Sequence, residues 1–105
     1  MAKIAILLAD GFETIEALAH ADVLRRAGED VSLVTINALP HVTTAHGIGI
    51  DCDATLDEYD FGACDLIVLP GGMPGTTNLR ANDRVCELTR QFMSEKRLGA
   101  ICAAP

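Results

Sequence analysis

Cys102, Glu16 and the run Pro70-Gly-Gly-Met-Pro-Gly75 are the residues whose types and spacing could do chemistry. Cys102 closes the apolar segment Leu98–Cys102 and is followed by Ala103-Ala104-Pro105. Proline is favoured in the first turn of a helix, where its missing N–H costs nothing. The pattern therefore predicts a strand, a tight turn of small residues and a helix start, with the thiol at the turn. Such a turn lifts a nucleophile above the sheet, and the unpaired N–H groups of a helix start favour its thiolate. The competing reading is a core cysteine that simply continues the strand, because free cysteines are among the most buried residues. Local sequence leaves these two readings open.

Glu16 follows the apolar run Lys3–Ala9 and the breaker Asp10-Gly11. Asp10 and Glu13 have the spacing of a capping box, and a helix is predicted from there to about Ala27, stopped by Gly28. If Ala19, Val23 and Ala27 form its buried stripe, Glu16 lies on the same stripe and faces the sheet. A carboxyl in that position must be paired, hydrogen-bonded or protonated, since a bare buried charge is costly. The alternative is a solvated glutamate stabilised by the helix dipole. In the glycine run, the N–H groups around Gly71 and Gly72 can turn inward toward an anion or oxyanion; a turn that merely needs positive φ is the plainer reading. Neither the P-loop nor the dinucleotide glycine pattern is present, so nucleotide binding is not expected.

Cys52, Cys64, Cys86 and Cys102 form no C-x-x-C pair, and His20, His41 and His46 make no H-x-x-x-H pattern. Free thiols are expected, with no metal and no cofactor. With 8 basic and 15 acidic side chains the net charge is −7 and the pI is near 4.7. That balance denies the chain a basic face for nucleic acid or for an anionic membrane. No apolar run approaches the roughly 18 residues of a membrane span, and the start at Met1-Ala2-Lys3 does not read as a signal peptide. A cytoplasmic protein is expected.

The elements that must position these groups alternate. Lys3–Ala9 reads as a strand buried on both faces; the helix to Ala27 and a β-branched strand Val31–Ile36 follow. A β-α-β unit this short forces a crossover and hence parallel pairing. Val42-Thr-Thr-Ala, a turn at His46-Gly47 and Ile48-Gly-Ile50 read as either a short hairpin or an excursion, and Asp57–Asp60 as an acidic connector. Asp65–Pro70 is a third buried strand. Asn82-Asp83 opens a helix with Val85, Leu88, Phe92 and Met93 at helical spacing, and Leu98–Cys102 is the last strand. The fold class is therefore α/β, a parallel sheet with helices on both faces. Because the sequence stops where a covering helix should begin, residues 1–105 are expected to be the N-terminal part of a single domain. The rest would come from further sequence, a second chain carrying the C-terminal half, or strong self-association.

These same residues carry a family resemblance. Asp10-Gly-Phe-Glu-Thr-Ile-Glu-Ala17, Asp22-Val-Leu-Arg-Arg-Ala-Gly28, Leu69-Pro-Gly-Gly72 and Ala100-Ile-Cys-Ala-Ala-Pro105 resemble the ThiJ/PfpI superfamily, and within it the YajL-like branch. The resemblance runs over the whole chain in order. It implies a flavodoxin-like domain of about twice this length, usually a homodimer. It also implies that Cys102 is the reactive thiol, Glu16 its hydrogen-bonding partner, and Gly72 with Ala103 the backbone donors around it. There are two departures. Some relatives place a catalytic histidine where this chain has Ala103, and in the YajL-like branch a histidine falls beyond Pro105. The branch also often carries an arginine near His46, here a candidate pocket residue with Gly71.

The implied activity is glyoxalase-like or deglycase-like. Cys102 would add to a small α-oxoaldehyde of the methylglyoxal type, Glu16 would move protons, and the Gly72 and Ala103 amides would stabilise the oxyanion. On this reading the residues 1–105 alone are inactive. The alternative is a redox sensor or stress-linked chaperone in which oxidation of Cys102 is itself the event.

Overall fold

The computed structural model describes residues 2–72, 75–95 and 98–100. Lys3–Leu8 forms β1, and the run from Ala5 to Ala9, just past its end, has no solvent exposure at all. Alternation along this strand sorts its side chains onto two faces. Ile4, Ile6 and Leu8 pack with Ala17 and Ala21, whereas Ala5, Leu7 and Ala9 pack with Leu79, Val85, Leu88 and Phe92. A strand apolar on both sides is thus covered by helices on both sides, as a parallel sheet requires.

Helix α1 spans Thr14–Arg26 and strand β2 spans Asp30–Thr35. The helix ends as the sequence predicts: Gly28 N–H donates to Arg25 O and Glu29 N–H to Leu24 O, a paired closure of the last turn. Its start differs. Glu13 occupies the capping position without a side-chain bond, and Asp10 Oδ1 instead accepts from Asn37 Nδ2 and Thr43 N. The capping box is therefore absent, because tertiary donors claim the Asp10 carboxylate. The buried stripe is also rotated from the expected one. Ala17 and Ala21 face the sheet, while Ala19, Val23 and Ala27 face outward, Val23 being 63% exposed.

Strands β3 (His41–Thr43) and β4 (Gly49–Asp51) form an antiparallel hairpin, the first of the two readings the sequence left open. A two-residue strand β5 (Ala54–Thr55) joins the outer side of β2, and a 3-10 turn over Phe61–Ala63 is capped by Asp60. Strand β6 (Leu66–Leu69) leads to a short helix α2 (Gly75–Arg80), then to α3 (Asp83–Ser94) and strand β7 (Leu98–Ala100). Asn82 caps α3 by accepting from Val85 N–H, which places Val85, Leu88 and Phe92 on the sheet; Met93 is turned outward. Both β5 and α2 went unread in the sequence: one is too short for a periodic signal, and the other hides behind glycine, proline and threonines.

The main sheet has the order β5-β2-β1-β6-β7, and every pair in it is parallel. Helix α1 covers one face; α2 and α3 cover the other. The α/β class with helices on both faces is the one expected. Among the described residues no helix is long and apolar enough to cross a membrane.

Candidate functional site

Chain direction makes the site. Strands β1 and β6 are adjacent and parallel, yet the chain leaves β1 toward one face and β6 toward the other. Their carboxyl ends therefore flank a crevice, and ligands in open α/β sheets bind at such switch points. The β1–α1 loop (residues 9–13) and the loop that follows β6 (residues 70–72) form its two lips.

Main-chain bonds lace the lips together. Glu13 N–H donates to Gly71 O at 2.9 Å, and Gly75 N–H donates to Gly11 O at 3.1 Å. The fit is close enough to demand glycine. Gly72 has φ +99°, and a Cβ there would lie 2.4 Å from Glu13 N; a Cβ at Gly75 would lie 2.7 Å from Phe12 N. The hairpin closes a third side, since Gly11 N–H donates to Thr43 O and Ala45 N–H to Phe12 O.

Glu16 stands on the first turns of α1, half-buried, and its Oε1 accepts from Gly71 N–H at 3.1 Å. The carboxyl of one lip is thus bonded to the backbone of the other, 55 residues along the chain. The expected stripe of Ala19, Val23 and Ala27 is not what positions it. Glu16 lies on the flank of the helix rather than on its buried face, and it reaches the crevice because α1 starts there.

The other expected site residues divide. Gly71 and Gly72 are in the crevice, with the Gly71 amide already committed to Glu16. His46 lies exposed at the hairpin turn, its N–H donating to Thr44 Oγ1 at 3.2 Å. No hydrogen bond or ion pair among the described residues joins it to Glu16. Cys102 and Ala103 lie outside the described residues.

The remaining thiols are placed for structure. Cys64 is buried, with its Sγ directed at Leu66 O at 3.2 Å. Cys86 directs its Sγ at Arg80 O at 3.2 Å. Burial pushes the Cys52 thiol up to about 11, with further contributions from the Asp53 and Asp51 charges.

Two residues of the crevice were not recognised in the sequence. Asn78 Nδ2 donates to Asp10 O at 2.8 Å, and Asp10 Oδ1 ties the same loop to Asn37 and to the hairpin. The visible signal at Asp10 was a cap, and nothing local marks Asn78.

A doubly wound α/β domain with the half-buried carboxyl of Glu16 at its switch point is the class these features define. The chain belongs to the DJ-1/PfpI family, whose model matches residues 2–105. It is 39% identical over 101 residues to Protein DJ-1 homolog A of Arabidopsis thaliana, covering 95% of this chain and 26% of that one. It is 30% identical over 104 residues to Deglycase TK1284 of Thermococcus kodakarensis, covering 98% of this chain and 61% of the relative. The structure of oxidized DJ-1 from Toxoplasma gondii superposes with a TM-score of 0.93 at 28% identity, over 100% of this chain and 58% of that one. The chain therefore spans between a quarter and three-fifths of the length of these relatives.

Proposed function

We propose that these residues form the acid-bearing part of a cysteine-dependent site that acts on small α-oxoaldehydes or their adducts, and that Cys102 supplies the nucleophile. The thiolate adds to the aldehyde carbon, and its oxygen takes a proton to give a hemithioacetal. A proton then moves from that carbon to the neighbouring one, leaving a 2-hydroxyacyl thioester. Water cleaves the thioester, returning the thiol and releasing a hydroxy acid such as lactate. Glu16 is the acid/base group for these transfers, and the Gly72 and Ala103 amides receive the oxyanion. The observation that carries this reading is the Glu16 carboxyl fixed in the switch-point crevice by the Gly71 amide. The likeness to a protein named a deglycase supports it.

A redox-sensing role for Cys102 is the second reading, favoured by the likeness to a DJ-1 captured in an oxidized state. The two are separated by methylglyoxal consumption and lactate release in full-length protein, compared with Cys102→Ser. Turnover that vanishes in the variant supports the enzyme, and turnover that survives it removes the cysteine mechanism. No turnover, with stepwise oxidation of Cys102 by peroxide, supports the sensor.

The protein we propose is cytoplasmic and works as a homodimer. On α1 the outward residues Ile15 (73% exposed), Ala19 and Val23 make an apolar stripe beside His20, with a shallow groove of about 160 Å³ along it. A helix face of this kind is a natural seat for a second copy.

A further inference from the structure

We propose that Asn78 is a positioning residue for the Glu16 carboxyl, acting through the main chain of the Asp10–Glu13 loop. The proposal deepens the reading above and concerns the same acid.

Where Glu16 stands depends on where α1 begins, and no side-chain cap sets that start. The loop ahead of it is held from two sides. From α2, Asn78 Nδ2 donates to Asp10 O at 2.8 Å. From the other side, Thr43 N–H of the hairpin and Asn37 Nδ2 of the segment between β2 and β3 donate to Asp10 Oδ1 at 3.0 and 3.2 Å, and Asn37 Nδ2 also reaches His41 O at 2.9 Å. Among the described residues the lips are also joined main chain to main chain by Gly75 N–H to Gly11 O and Glu13 N–H to Gly71 O, and by the Glu16 carboxyl to Gly71 N–H. Asn78 thus lets a side chain on the β6 side hold the loop that delivers Glu16.

The chemistry asks for an amide. Asp10 O accepts, so the residue opposite must donate, and the neighbouring Asp10 carboxylate repels a second anion. Leu79, only 4% exposed, anchors α2 in the core next door and keeps the Asn78 arm from drifting. An aspartate at 78 would have the same shape, no donor at neutral pH and the wrong charge.

The test uses full-length protein carrying Asn78→Asp and, separately, Asn78→Gln, which keeps the donor on a longer arm. The readouts are hydrogen exchange at the Gly71 amide, the step in its ¹⁵N shift as Glu16 titrates, the unfolding midpoint, and kcat against KM for Cys102-dependent turnover. Loss of one hydrogen bond is expected to speed Gly71 exchange about five- to tenfold in Asn78→Asp. The ¹⁵N step should flatten and kcat should fall with KM nearly unchanged, while Asn78→Gln recovers part of each. A lowered unfolding midpoint in both variants with Gly71 exchange and its ¹⁵N step as in the unaltered protein would overturn the proposal. If the unaltered protein turns nothing over, the enzymatic reading fails, and the Gly71 readouts still decide the role of Asn78.

Discussion

Glu16 Oε1 and the Gly71 amide meet at 3.1 Å across the crevice where β1 and β6 send their chains to opposite faces. This bond does two things. It satisfies a half-buried carboxyl oxygen with a backbone donor, and it commits the Gly71 N–H to Glu16.

Glu16→Gln is expected to fold normally, because the amide oxygen can keep the Gly71 bond. It cannot pass a proton between reacting atoms. Cys102-dependent turnover should therefore fall by about 10²–10⁴ in the full-length protein. Circular dichroism with steady-state kinetics checks both halves, and turnover within a factor of two of the unaltered protein would remove Glu16 from the proton transfers.

Gly72→Ala should be among the most damaging small substitutions in this chain. The added methyl must occupy a position 2.4 Å from the Glu13 nitrogen at φ +99°. Strain of that kind costs about 1–3 kcal/mol before the clash is counted. Denaturant unfolding should show a loss of at least about 2 kcal/mol.

Cys52 should react slowly at neutral pH and quicken on raising it. Its thiol is pushed up to about 11 by burial and by the Asp53 and Asp51 charges. The thiolate is the nucleophile, so the reactive fraction at pH 7 is only about one in ten thousand and grows tenfold per pH unit. Iodoacetamide labelling followed by peptide mapping across pH 7–10 gives the slope directly, and a flat profile would contradict it.

Val23→Asp should leave folding intact to within about 0.5 kcal/mol, because Val23 is 63% exposed. It should nonetheless weaken self-association of the full-length protein by placing a charge in the outward stripe of α1. Light scattering over a dilution series measures the shift. Equal dissociation constants for the two proteins would move the interface elsewhere.

Much of this architecture was legible because burial on both faces leaves an unmistakable apolar run, as in Lys3–Leu8 and Leu66–Leu69. Gly28 and Asn82 were equally plain, since helix ends draw on local chemistry. What escaped notice was set by distant partners. The Asp10 carboxylate is claimed by Asn37 and Thr43 rather than by its own helix. The stripe of α1 was misjudged because alanines mark a face only weakly, and outward Val23 looked like core. Asn78 had no local signal at all. The site itself was half legible: Glu16 and the glycines stand out by type, but their meeting depends on a crossover that no short motif encodes.

On the proposed function, Cys102 and Glu16 act as one chemical unit. Brief iodoacetamide treatment of the full-length protein at neutral pH, with peptide mapping of Cys52, Cys64, Cys86 and Cys102, tests it most directly when repeated in Glu16→Gln. Cys102 should be labelled first, and its rate should change in the variant while the other three stay as they were. Faster labelling of Cys52 or Cys64, or a Cys102 rate indifferent to Glu16, would contradict it.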